Sequence, residues 1–237
     1  MTSNASARAI GAGSILLALG FNVPYAVLAS RFDYPGILRE APERILAAFT
    51  EGGAPLVLTW YAFALAAMLF IPVSLGLALG GGRVRTQTAL AVAAAVLGAL
   101  AGLTQAIGLL RWVMVVPVLA ADPEGAQLFA MLHAYAGVAI GEHLGMLLTA
   151  TFLGTMAVLH AAEGLRALAA QGGLTAAAIA WGAIEGVALA LGADGAVFSL
   201  GAIAGYLLLT VWLLWAGLHM IRGVYRLPRL AGDTLTA

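Results

Sequence analysis

The sequence predicts an all-α, polytopic integral membrane protein, with six transmembrane helices in a single bundle and both termini cytoplasmic. Three observations lead there. Hydrophobic residues make up 62% of the 237-residue chain and charged residues only 9%, against roughly a quarter charged in soluble domains. Mean hydropathy is +1.00. Apolar stretches long enough to cross a hydrocarbon core of ~30 Å recur along the chain, and the Gly-, Pro- and charge-bearing connections leave no room for a soluble domain.

The spans are read as 9–30, 55–79, 89–110, 134–159, 174–191 and 199–221. Arg8 before the first apolar run, with Val27-Leu28-Ala29 after it, imitates a secretory signal. The run outlasts a signal core of ~7–15 residues, so it is read as a retained span. The next loop mixes Arg31, Arg39 and Arg44 with Asp33, Glu40, Glu43 and Glu51, a composition that predicts a folded, ion-paired segment. After Pro42, Ile45, Leu46 and Phe49 stand at helical spacing, predicting a short amphipathic helix over 42–50 that lies on the outer membrane interface. Asp122-Pro123-Glu124 is a helix start, with a capping carboxylate, Pro at the first turn and acid at the positive dipole end. A helix from there to His160 would be about 57 Å long at 1.5 Å per residue, so it must project from the bilayer or bend near its glycines.

The 30 glycines are not scattered. Gly137, Gly141 and Gly145 form a stripe, and Gly98/Gly102, Gly182/Gly186 and Gly201/Gly205 repeat its spacing. Small residues one turn apart let helix backbones approach closely in lipid. Packing within the bundle is the expected use; a homo-oligomer through the same faces is the other.

Composition also excludes. There is no cysteine, hence no disulfide, thiolate ligand or cysteine nucleophile. All eleven basic residues are Arg, so Schiff-base chemistry is absent, and no basic stripe with interleaved aromatics suits nucleic acid. His133 and His143 share one helix, the wrong arrangement for a dihaem site. His160 and His219 fall at the same membrane boundary, where solvated histidines are expected and no metal is assigned. No cofactor is readable. Arg8, Arg83, Arg85, Arg166, Arg222, Arg226 and Arg229 fall on the side of the termini, and Arg31, Arg39 and Arg44 on the other, with Arg111 near that boundary. Positive residues are retained inside, so the expected location is a bacterial cytoplasmic membrane, with the lipid bilayer as the chain's first partner.

Ionisable residues inside spans are costly and therefore informative. Arg111, Glu142, His143 and Glu185 are such residues, and all fall in the outer halves of their spans. Tyr25, Trp60, Tyr61, Tyr135 and Tyr206 share that depth, whereas the inner halves read as Ala, Leu, Val and Gly. Two readings of Arg111 stand: it snorkels at the outer interface beside a belt residue, Trp112, or it pairs with Glu142 across the third and fourth helices. Tyr135 and Glu142, seven apart, line up on an α-helix. Glu185 has no obvious cation in the neighbouring spans, so desolvation favours its neutral acid.

Several short motifs carry a family likeness: Arg31-Phe32-Asp33-Tyr34-Pro35 with Ile37-Leu38-Arg39, Thr59-Trp60-Tyr61-Ala62, Gly108-Leu109-Leu110-Arg111-Trp112, and His133-Ala134-Tyr135-Ala136-Gly137 leading to Gly141-Glu142-His143-Leu144-Gly145. With them the chain resembles bacterial six-span proteins catalogued as domain of unknown function 4386. The likeness runs to about His160; beyond that it rests on hydropathy. It implies a six-helix fold and no agreed activity.

The functional expectation is an outer-leaflet cavity that binds or transports a small anionic or amphiphilic molecule. Arg111 would hold an anionic or carbonyl group, Glu142 and His143 would titrate, Glu185 would join them, and the aromatics would form the wall. One rival is an intramembrane enzyme on a lipid-like or quinone-like substrate, with His143, Glu142 and Glu185 as catalytic candidates. Another is a sensor or subunit in which the polar cluster only fixes helix register.

Overall fold

The computed structural model describes residues 4–223. Arg226 and Arg229 of the arginine count lie outside the described residues. The chain is all-helical over this range, and six of its helices are long and apolar enough to cross a membrane; it is a multi-pass membrane protein. The spans are α1 (Asn4–Phe32), α2 (Pro42–Leu79), α4 (Thr88–Met114), the composite α6 (Gly125–Leu132) to α7 (Gly145–Ala162), α8 (Arg166–Ala190) and α9 (Ala196–Arg222). Short helices α3 (Arg83–Thr86) and α5 (Val116–Ala120) flank α4. Each span packs on its sequence neighbours and α9 returns to α1, closing a ring. One end of the ring carries the 33–41 segment and is called the loop end; the other is the terminus end.

Close approach closes the ring. A Cβ on Gly108 would sit 2.7 Å from the Cα of Gly141, so α4 and the fourth span meet backbone to backbone as small-residue faces allow. The glycines at positions 98, 102, 182, 201 and 205 likewise abut other spans of the same chain. The terminus half is filled by Leu17, Phe70, Phe152, Met156, Trp212 and Met220. It is not wholly apolar, and here the sequence reading is corrected. His160, expected to be solvated, is fully buried at this end, and so is Arg83, at 1% exposure. Arg83 Nε and Nη2 donate to Glu163 at 2.5 and 2.7 Å, and Nη1 donates to the Leu77 carbonyl. At the carbonyl ends of two spans the Arg83 guanidinium complements the helix dipoles, and its fork neutralises the Glu163 carboxylate.

The loop end departs further from expectation. Asp33 takes a positive φ of 52°, which Asp tolerates better than most residues, and the segment after it turns into the bundle, burying Ile37 and Leu38. The expected short helix forms the first part of α2 and ends where Gly53 breaks it, at φ 55° and ψ −152°, a region essentially restricted to Gly. Its apolar face does not lie on lipid. Ile45, Leu46 and Phe49 are buried with Leu28, Phe32, Trp60, Trp112 and Phe129, because the bundle offers an aromatic surface at that height. Trp60 and Trp112 stack at 4.7 Å and 8° in its centre.

In the fourth span, Asp122 Oδ1 accepts the Glu124 N–H at 2.9 Å and α6 starts at Gly125. From His133 to Leu144 the helix then widens into a 12-residue π-helix, with the Gly145 N–H reaching the Ile140 carbonyl. The bend expected near the glycines is replaced by underwinding. Gly137 and Gly141 lie in this stretch against α4, and π segments of any length are rare and concentrate at functional positions.

Candidate functional site

The ring encloses a cavity of about 540 Å³ at its loop end, within the ~300–1,000 Å³ of ligand pockets. Every span contributes to its wall: Asn22 and Tyr25 from α1, Trp60 and Phe63 from α2, Gln105 and Arg111 from α4, Glu142 and Met146 from the fourth span, Glu185 from α8, and Ile203 and Tyr206 from α9. Tyr34, Leu38 and Arg39 close in from the loop. The wall is mainly apolar, with its charged groups grouped near the loop.

Arg39 organises those charges. Its Nη2 meets Glu142 Oε2 at 2.5 Å and its Nε meets Glu185 Oε1 at 3.0 Å, so one loop residue ties the fourth and fifth spans. Burial acts to lower the Arg39 pKa, but the Glu142 charge and the hydrogen bonds to both carboxylates prevail and raise it above the ordinary value. Tyr34, beside this pair, is raised as well, first by burial and then by the Glu142 charge.

Arg111 follows neither expectation. It is buried, so it does not snorkel, and Trp112 is 1% exposed and no belt residue. Nor does it pair with Glu142, whose Oε2 is taken by Arg39. Arg111 Nη1 donates to the Gly108 carbonyl, and Nη2 lies 3.3 Å from His133 Nδ1. His133 Nε2 lies 3.0 Å from the Leu38 carbonyl, which assigns the proton to Nε2 and leaves Nδ1 to accept from Arg111. Gly137 makes room for this guanidinium: a Cβ there would stand 2.6 Å from Nη2.

The π-helix explains which expected residues meet and which do not. On an α-helix Tyr135 and Glu142 nearly eclipse, but at the ~4.4 residues per turn of an i→i+5 helix seven residues rotate by roughly 570°, to opposite faces. Glu142 lines the cavity, while Tyr135 is 69% exposed on the outer surface of the bundle. His143 is turned to α8, where Nδ1 donates to the Ala183 carbonyl at 2.7 Å and the ring rests against Gly186. It is outside the cavity wall, as is Tyr61, 40% exposed one position after Trp60. Arg111, Glu142, Glu185, Trp60, Tyr25 and Tyr206 are brought together on the wall. The expectation of a cation-free Glu185 is corrected by Arg39, which arrives from the loop and not from a span.

Sequence reasoning missed Arg39 and His133 as parts of this arrangement. The available signal was the apolar content of the loop: Tyr34, Ile37 and Leu38 beside Arg39 mark a segment that folds inward. Deeper in the cavity, Asn22 bonds Thr210 at 2.8 Å and Gln105 bonds Thr149 at 2.8 Å, so these polar groups satisfy one another. Three others do not. Trp60 Nε1, Arg111 Nε and Glu142 Oε1 are buried without a hydrogen-bond partner among the described residues. Their residues line the cavity while these two donors and one acceptor lie just beneath its surface, and such groups are rarely left unmatched.

Compared with known proteins, the chain matches the family described as Domain of unknown function (DUF4386) over residues 9–217. No curated protein and no solved structure matches significantly.

Proposed function

This chain belongs to the DUF4386 family, whose description carries no activity, and from its cavity we propose that it binds a small amphiphilic molecule at the loop end of the helical ring. The observation that carries this reading is the set of unmatched polar atoms, Trp60 Nε1, Arg111 Nε and Glu142 Oε1, in the wall of an otherwise apolar cavity. These atoms lie under the cavity surface, so a polar head would reach them as the side chains turn toward it, and a hydrocarbon part would lie on Phe21, Leu109 and Ile203. Binding is favoured over transport because the terminus half is packed with side chains and a carrier needs a route through it. It is favoured over catalysis because the two catalytic candidates on the wall, Glu142 and Glu185, are both held by Arg39, and the third, His143, is turned to α8. The arginine bias orients the loop end outward across a bacterial cytoplasmic membrane.

The test is native mass spectrometry of the protein purified from its own membranes in mild detergent. A bound small molecule is expected, retained by the parent chain and lost in Arg111→Gln and in Trp60→Phe, each read well below its own unfolding temperature, with helix content by circular dichroism matching the parent's. A parent chain that carries nothing, or adducts indifferent to both substitutions, would overturn the reading.

A further inference from the structure

The charges around the cavity restrict what its head group can be. Two guanidinium groups, Arg39 and Arg111, stand with two carboxylates, Glu142 and Glu185, and +2 with −2 leaves no net charge to answer. Asp194 also reaches the cavity, but at its exposed rim, where its Oδ1 caps the start of α9 by accepting the Ala196 N–H. An ionic ligand would therefore bring an uncompensated charge into low dielectric, a cost that a neutral head avoids. The unmatched atoms ask for both an acceptor, facing Trp60 and Arg111, and a donor, facing Glu142.

Size restricts the rest. The cavity of about 540 Å³ falls in the ~300–1,000 Å³ range of small-ligand pockets, which suits a small head with one hydrocarbon chain. Its exit also has a direction. Toward the terminus end α1 and α9 are closed by Gly11 against the Gly217 backbone and by Ser14 Oγ donating to the Leu213 carbonyl at 2.7 Å. Nearer the loop end the last hydrogen bond between them is Asn22 to Thr210. Beyond it Leu207 both lines the cavity and is 55% exposed, a position from which a chain can leave sideways, whereas the exposed rim at Asp194 lies at the α8–α9 connection of the loop end.

We infer that the ligand is an uncharged single-chain amphiphile with a hydroxyl- or ester-bearing head, held at Trp60, Arg111 and Glu142, its chain leaving between α1 and α9 toward the bilayer. This rests on the binding reading above and sharpens it. The experiment reads tryptophan quenching of the full chain in phosphatidylcholine nanodiscs titrated with dibromostearoyl glycerol. Dibromostearate, at a pH where it is ionised, and water-soluble monobutyrin as competitor complete the set. The expected result is saturable quenching by the glycerol ester, about tenfold weaker for the carboxylate, with little competition from monobutyrin. Arg111→Gln should abolish the saturable part, and Leu207→Phe, at an exposed position that cannot disturb the core, should weaken it at unchanged thermal stability. Tighter binding of the carboxylate overturns the neutral head. Equal competition by monobutyrin, with Leu207→Phe silent, overturns the chain and its lateral exit. In both cases Arg111-dependent binding leaves the cavity reading standing. Absence of saturable quenching by any probe overturns this ligand class, while an Arg111-dependent adduct on the protein from its own membranes would still support the broader one.

Discussion

Replacing Arg39 by Gln tests whether the loop is fastened to the bundle by charge. The guanidinium contacts Glu142 and Glu185 at 2.5 and 3.0 Å, with side-chain exposures of 31% for Arg39, 23% for Glu142 and 9% for Glu185. Breaking a fully buried pair by removing one partner costs about 3–5 kcal/mol, whereas a surface pair contributes ~0–1 kcal/mol. These contacts are intermediate, but there are two of them and one carboxylate is nearly buried, so the expected loss is about 2–4 kcal/mol. Arg44→Gln is the internal control. Its contact with Glu40 is 3.5 Å long between groups 65% and 41% exposed, and its loss should stay within ~0.5 kcal/mol. Reversible unfolding in mixed micelles of dodecyl sulfate and maltoside measures both. Adding Glu185→Gln to Arg39→Gln should recover about 1–2 kcal/mol, because the second change removes the carboxylate that the first left unpaired. A loss from Arg39→Gln no larger than that of Arg44→Gln, or strictly additive losses in the double variant, would refute the clamp.

Other outcomes follow from the same geometry. Tyr34 has its pKa raised above the ordinary 10.0 by burial and by Glu142, so the unfolded chain ionises first and stability should fall as pH rises above that value. Tyr34→Phe should remove that alkaline component, and phenolate absorbance of the folded protein should lag that of the unfolded chain. Gly141→Ala places a Cβ 3.0 Å from the Gly108 Cα and 3.2 Å from the Ala136 carbonyl and should cost ~1–3 kcal/mol by overpacking. Gly154→Ala meets nothing within 4 Å and should be neutral or gain up to ~1 kcal/mol of helix propensity, both read by the same unfolding assay. A cysteine replacing Glu43 in this cysteine-free chain should react with an impermeant maleimide on intact cells; reaction only after lysis would invert the orientation.

Spans were legible in the sequence because membrane solubility is a local property. A stretch of some 20 apolar residues must be helical and long enough whatever surrounds it. Gly98, Gly102 and Gly141 were legible as packing positions for the same reason, since spacing along one helix marks a face; Gly108, against which Gly141 packs, was not. Helix phase was not. The lining-up of Tyr135 and Glu142 assumes α-helical winding, whereas residues 133–144 wind as a π-helix, in a stretch whose Gly137 and Gly141 lie against α4, a segment distant in sequence.

The sequence by itself therefore determined the six spans and several positions at which helices approach, each of which depends on composition and spacing along one segment. Tertiary structure alone decided which charges meet. Arg111 and Glu142 stand at similar depth on adjacent spans, yet Arg39 reaches Glu142 and Glu185 from the 33–41 loop, and Arg111 turns to Gly108 and His133. The physical reason is that a buried ion pair requires a few ångströms of three-dimensional proximity between hydrogen-bonding groups. Loops, unlike spans, are not held to one depth by the bilayer, so the sequence carries no rule for where they fold back.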